Sequence, residues 1–151
     1  MVSRKGQAAL DFLMTYGWAI ALVVIVAAAL FALGVFDVSN FVGTKAAGFS
    51  GVAVQGWSFT GSTGVLAVKL TNQVGQKINI TGISATVGSE TKAFTAPGSL
   101  DNGVTSAQIN STAFTTMTSG SGYQAKLTIN YTDMNSGFAA STTGTLTGKA
   151  V

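Results

Sequence analysis

This chain of 151 residues has no cysteine, no histidine, a single proline (Pro97) and only five carboxylates. The missing thiols exclude a disulfide framework, thiolate–metal sites and thiol nucleophiles. The missing imidazoles remove the commonest general base and the commonest metal ligand. The acids are Asp11, Asp37, Glu90, Asp101 and Asp133. That supply is thin for hydrolysis or metal binding, so the expectation is no enzymatic activity, no cofactor and no metal. Net charge is +3, yet Arg4 and Lys5 carry two of those charges. A chain starting at Gln7 would hold six lysines against five acids, which leaves no basic stripe for nucleic acid.

The first thing present is a long apolar run. After Asp11 no charged residue appears until Asp37, and the 25 residues from Phe12 to Phe36 are almost wholly apolar. As a helix they would extend about 37 Å, at roughly 1.5 Å per residue. That crosses a bilayer core of about 30 Å with some tilt. Proline is absent here, and Gly17 and Gly34 are the weak points for helicity. Arg4 and Lys5 precede the run, which keeps its N-terminal end cytoplasmic and puts the body outside. Met14, Tyr16 and Trp18 lie near its start, where aromatics suit the membrane interface.

Three readings compete for this segment. The run is too long for the h-region of a cleaved secretory signal, although Ala27-Ala28-Ala29 would suit its end. A plain single-pass anchor explains length and orientation but gives Asp11 no task. A carboxylate at mid-depth costs of order 2.5–3.5 kcal/mol, less near the interface where Asp11 stands.

The third reading rests on Lys5-Gly6-Gln7-Ala8-Ala9-Leu10-Asp11-Phe12-Leu13. This stretch resembles the class III signal sequence of archaeal type IV pilins. The match joins a short basic leader, Lys-Gly, Gln, an acidic residue at the fifth position after the cut and some 20 apolar residues, and covers about residues 1 to 36. The resemblance implies cleavage between Gly6 and Gln7 by a membrane-embedded prepilin peptidase, with Lys5 as part of the recognised site. It further implies a pilus assembly ATPase and a membrane platform protein as partners. Archaeal flagellins share a similar helix but typically begin the mature chain with Gly-Ile-Gly-Thr or a close variant, so the pilin branch fits Gln7-Ala8-Ala9-Leu10-Asp11 better. Many pilins carry Glu where this chain has Asp11, which keeps the charge one methylene shorter.

Physical roles follow. Gly6 has no side chain, so its peptide bond can enter a narrow protease cleft. By analogy with the family, Asp11 neutralises the new Gln7 amine of a neighbouring subunit, and two charges taken out of water together cost less than either alone. The alternative task for Asp11 is to complement its own helix dipole and no more. Ala19, Ala21, Ala27, Ala28, Ala29 and Ala32 let helices approach closely. A segment apolar on every face must be buried all round, in lipid or among helices. The same segment can therefore anchor the chain in the cytoplasmic membrane and later fill the core of a helical homopolymer.

Beyond a transition region from Asp37 to about Ser50 the sequence turns β-rich. Period-two alternation marks Val65–Leu70, Lys77–Thr81 and, most clearly, Tyr123–Tyr131. In the last, Tyr123, Ala125, Leu127, Ile129 and Tyr131 share one face. Weaker strands are expected at Val52–Phe59, Ala85–Thr95, Val104–Thr118 and Phe138–Thr147, separated by Gly-rich turns. Phe59, Phe94, Phe114 and Phe138 read as core.

The expected fold is α+β. It comprises a leader (1–6), a long hydrophobic N-terminal helix (7–45) and an extracellular antiparallel β-sandwich (46–151), with an Ig-like topology possible. Sequons at Asn79, Asn110 and Asn130 are candidate N-glycosylation sites on an exported chain, and the threonines and serines could carry O-linked sugar. Asn79 and Asn130 fall on the polar faces of their strands. Asp133-Met134-Asn135-Ser136-Gly137 lacks the carboxylates of a calcium loop. The functional expectation is a structural subunit of an adhesive extracellular filament. The alternatives are a flagellin-like filament subunit and a single-pass protein whose outer domain binds a carbohydrate or other ligand.

Overall fold

The computed structural model describes residues 4–33, 35 and 43–151, with only the backbone of Arg4 and Lys5. The chain divides into two units, Met1–Val38 and Ser39–Val151. The first contains one helix, α1, over Arg4–Ala32. Strong helix formers fill it, and no proline interrupts the hydrogen-bond ladder. Leu33 N still bonds Ala29 O at 2.9 Å, and Val35 N bonds Leu30 O at 3.1 Å. Polar Thr15 is satisfied within the apolar stretch because its hydroxyl donates to Asp11 O at 2.8 Å, a bond back along the helix that hides a donor from lipid. Phe12 and Tyr16 stack one turn apart, ring centres 4.8 Å apart.

The expected helical segment to residue 45 is longer than the described helix. Strand β1 (Lys45–Ala47) already begins there, and Gly43 and Thr44 precede it outside any helix. Residues 34 and 36–42, which include Asp37 and the first part of the expected transition, lie outside the described residues.

The second unit contains two antiparallel sheets with a common core, a sandwich as expected. Its strands are β1, β2 (Val52–Thr60), β3 (Val65–Asn72), β4 (Ile78–Val87), β5 (Glu90–Phe94), β6 (Gly98–Leu100), β7 (Ile109–Asn110), β8 (Gly122–Asp133) and β9 (Ala139–Lys149). The larger sheet runs β1-β9-β8-β4-β5, with β6 also on β4, and the smaller runs β2-β3-β7. Period-two patterning explains the packing. Along β8 the residues Tyr123, Ala125, Leu127 and Ile129 are buried, while Gln124, Lys126 and Asn130 are exposed. Opposite them, Phe59, Leu66, Val68 and Leu70 of the smaller sheet complete the core. Phe59 lies 5.1 Å from the Tyr123 ring and 6.1 Å from the Phe114 ring. Burial pushes the Tyr123 phenol up to about 12, because the anion would lose solvation.

Both open sides of the sandwich are stitched. On one, Val151 N bonds Phe59 O at 2.9 Å and Gly61 N bonds Val151 O at 2.8 Å, while Trp57 Nε1 reaches Thr147 O at 3.3 Å. On the other, residues 104–118 cross from β3 to β5.

That crossing corrects the strand expected at Val104–Thr118, of which only Ile109–Asn110 pairs as β7. Serine hydroxyls compete for the ladder. Leu70 N donates to Ser106 Oγ at 3.1 Å and Leu66 N to Ser111 Oγ at 3.0 Å. Thr112 N then leaves for Ala93 O on β5 at 3.1 Å. Glu90 fixes the far end, accepting from the Thr115 hydroxyl at 2.6 Å and the Thr115 amide at 2.9 Å. Those two bonds hold its carboxyl below the usual glutamate value.

Three other expectations change. Ala85–Thr95 is a hairpin, broken by Gly88-Ser89, with Gly88 at φ 60 where a side chain would be strained. Between Thr95 and Val104, where only a Gly-rich turn is expected, Gly98 opens strand β6 behind Pro97. Phe138, expected in the core, is 77% exposed at the tip between β8 and β9. There the Asp133 carboxylate accepts from the amides of Asn135 at 2.7 Å and Ser136 at 3.2 Å, which holds it below the usual aspartate value. Phe138 O accepts from Asp133 N at 2.9 Å, which fixes its main chain in that turn.

Candidate functional site

The N-terminal candidates sit on one continuous helix. Gly6 and Gln7 are the third and fourth residues of α1, and Asp11 is the eighth. The Gly6–Gln7 peptide bond is therefore helical, not extended, and a protease acting there would have to unwind it first. That is cheap, since the first four amides of a helix lack intrahelical partners. Asp11 follows Gln7 by four residues, so the two lie on the same face about 6 Å apart along the axis. Gln7 and Asp11 are both exposed. No acid stands in the first turn of α1 as it is folded here, starting at Arg4. Asp11 is two turns in, past the range of strong dipole stabilisation. Only a chain beginning at Gln7 would bring it close to the helix start.

From Gly6 to Ala32 the helix is long and apolar enough to cross a membrane, with mean hydropathy 2.3 over its most apolar window. None of that window is buried inside the molecule. Leu13, Met14, Trp18, Val23, Ile25 and Phe31 are among the exposed large side chains. A core helix of a water-soluble fold would hide such a set. The same length and composition also suit a signal sequence near an N-terminus.

The sequons occupy three different settings. Asn79 is half-buried in mid-sheet, opposite Thr132 on β8 and Ser99 on β6. Asn130 is exposed, opposite Gly82 and Ser141. Asn110 is exposed on the short strand β7, its side-chain oxygen accepting from Gln108 Nε2 at 3.1 Å. The backbone just after Asn110 is engaged on both sides, Ser111 N bonding Leu66 O at 2.9 Å and Thr112 N bonding Ala93 O at 3.1 Å.

The carboxylates do not converge. Asp101 pairs with Lys77 at 3.2 Å, Asp133 caps its own turn, Glu90 holds Thr115, and Asp11 lies on the helix. Among the described residues no three His, Cys, Asp or Glu side chains group as metal ligands. A groove of about 620 Å³ in the β unit is lined by Thr86, Gln124, Lys126 and Thr145 together with Val87, Met117 and Tyr123. It includes no carboxylate. Its lysine belongs to a feature that sequence reading missed. Lys45, Lys126 and Lys149 are far apart in the chain, and only strand register brings them onto one face.

No family model matches this chain, and no curated protein is significantly similar to it.

Proposed function

We propose that this chain is a pilin-like filament subunit, cut between Gly6 and Gln7, held in the membrane by its apolar helix and polymerised through that helix. The β-sandwich then forms the outer wall of an extracellular filament that serves adhesion. The observation that carries the reading is a single charge, Asp11, behind Lys5-Gly6-Gln7 and ahead of a membrane-length apolar helix whose most apolar window is not buried. A helix exposed on all faces needs a second environment, and bundling with its copies provides one when it leaves lipid. Subunits stacked head to tail make contacts that do not close, so a filament results. Asp11 neutralises the Gln7 amine of a neighbour as both enter the bundle. The peptidase, the assembly ATPase and the membrane platform would act on the chain in that order. Asn79, Asn110 and Asn130 are the acceptors for N-linked glycan.

Mass spectrometry of sheared filaments tests this directly: the expected N-terminus is Gln7, and recovery of chains that keep Met1 would remove the processing step. Asp11→Ala should abolish or strongly reduce filaments while the processed monomer persists in the membrane. The second reading, a single-pass anchor for an outer binding domain, is favoured by the membrane-length helix alone. It requires Asp11→Ala to have little effect and the chain to stay monomeric in detergent.

A further inference from the structure

We propose that the outer face of the larger sheet, around Lys45, Lys126 and Lys149, is a docking surface for an acidic polysaccharide. This deepens the adhesive role by naming its target chemistry. The face is fixed by register. Lys45 stands opposite Thr147, which stands opposite Gln124. One pair further along, Lys126 faces Thr145 and Thr86, and Lys149 faces Gly122 at the end of the sheet. The inner row between them is Ala46, Leu146, Ala125 and Val87, so the lysine rows point out. All three lysines are exposed, and none forms an ion pair among the described residues. Strand spacing and rise put their backbones about 8–14 Å apart. That is close to one Debye length, about 10 Å at 0.1 M salt, so their fields add.

Among the described residues of the β unit no side-chain carboxylate lies on this face. Glu90 belongs to the inner row, opposite Val87, and is tied to Thr115. Asp101 and Asp133 lie at the opposite end of the sheet, beside Leu100 and Ile78. The lysine end is thus cationic, while at the far end Lys77 pairs with Asp101 and only Asp133 is left over.

The rest of the face decides the partner class. It is built of hydroxyls: Thr86 bonds Thr91 at 2.8 Å, and Thr128 bonds Thr143 at 3.2 Å. In each pair one hydroxyl hydrogen is used internally, which leaves an outward donor and acceptor lone pairs in fixed positions. A chain of sugar hydroxyls with periodic carboxylates or sulfates matches both features. A lipid surface would need apolar side chains to insert, and this face has none larger than Ala47 and Ala93. Single-stranded nucleic acid would need aromatic platforms for its bases, and the face carries no aromatic residue.

The test uses the full chain in detergent, unassembled, so that it reads this face whether or not filaments form. The probes are dextran sulfate and polygalacturonate, with neutral dextran and phosphatidylglycerol vesicles as comparisons. Binding to both acidic polymers, weakening as salt rises, is expected. Each Lys→Gln change at 45, 126 or 149 should weaken it by up to roughly fivefold, the upper range for an exposed ion pair, and the triple variant by more than tenfold. Lys69→Gln, on the smaller sheet, should leave it unchanged. Far-UV circular dichroism confirms that the variants are folded. Equal binding by the triple variant, equal binding to neutral dextran, or binding to the vesicles alone would each overturn the proposal.

Discussion

Asn72 is the polar side chain whose loss should cost the β unit most. It is fully buried at the end of β3. Its amide donates to Gln76 O at 2.7 Å and to Leu100 O at 2.9 Å, and its oxygen accepts from Val74 N at 2.9 Å. One side chain thus pins the β3–β4 connection to the end of β6. Asn72→Ala removes all three bonds. The bonds to Gln76 and Val74 are partly solvated, so water can replace them at a net loss of about 1 kcal/mol each. The bond to Leu100 O is buried, and that carbonyl then stays unpaired at about 2 kcal/mol. The expected loss is about 4 kcal/mol, or roughly 15 °C in Tm for a unit of this size. Thermal unfolding of the full chain in detergent, followed by β-sheet circular dichroism, measures it. Asn72→Asp is a sharper probe. It keeps the acceptor for Val74 N but turns a buried anion toward two carbonyl oxygens, so at neutral pH it should be worse than alanine. Its folded-state carboxyl would titrate above the ordinary aspartate value, so its stability should recover as pH falls. A loss below about 1 kcal/mol for the alanine variant, or an aspartate variant no worse than alanine at neutral pH, would refute this account of the network.

Gly144→Ala should destabilise by about 1–3 kcal/mol, since the new methyl would lie 2.5 Å from Phe49 Cε2 and 2.6 Å from the Ala47 carbonyl oxygen; Gly56→Ala, which meets nothing within 4 Å, should be near neutral in the same melt. The depressed Glu90 and Asp133 carboxyls contribute stability that is complete above their unfolded values, 4.5 and 3.8, and is lost as pH falls through the lower folded ones. Glu90→Gln should flatten that acid limb, and an unchanged Tm-versus-pH curve would count against the Thr115 clamp. At the other extreme, Tyr123 favours the fold below pH 10 and loses that contribution as pH rises toward about 12, so Tyr123→Phe should hold its Tm better than the parent in an alkaline titration.

What the sequence reveals depends on whether burial is written in side-chain size. In β8 it is: large apolar residues alternate with polar ones from Tyr123 to Tyr131, and the strand is plain to read. In β9 it is not. Its inner residues Thr142, Gly144, Leu146 and Gly148 include two glycines because rings from elsewhere fill the space. Phe49 covers Gly144, and the Tyr123 hydroxyl stands 3.3 Å from where a Gly148 side chain would start. The hydrophobicity of that face is supplied by other strands, so only a threonine-rich, weakly patterned run is left in the sequence. The segment 104–118 fails for another reason. Ser106 and Ser111 replace main-chain acceptors with hydroxyls, and no periodicity distinguishes a serine that does this from one in a turn. The lysine face was hidden because residues 45, 126 and 149 become neighbours through register alone. At the N-terminus the length and polarity of the helix were legible, because a membrane-length span needs no tertiary partner to declare itself.

That independence also separates the energetics of the two units. The β unit can be accounted for within the chain: its core, its stitched edges and its polar hub have intramolecular partners. The helix cannot, because its most apolar window is not buried and most of its large side chains are exposed. Substitutions such as Gly144→Ala should therefore lower the melting temperature without touching membrane insertion, whereas changes at Ala28 or Val24 should leave the melt unchanged and alter only how the helix meets lipid or other helices. Asp11 belongs to the second class. As an exposed side chain it holds nothing in place in the folded chain, so a defect caused by its removal would have to arise between molecules, which is where the pilin-like reading locates its work.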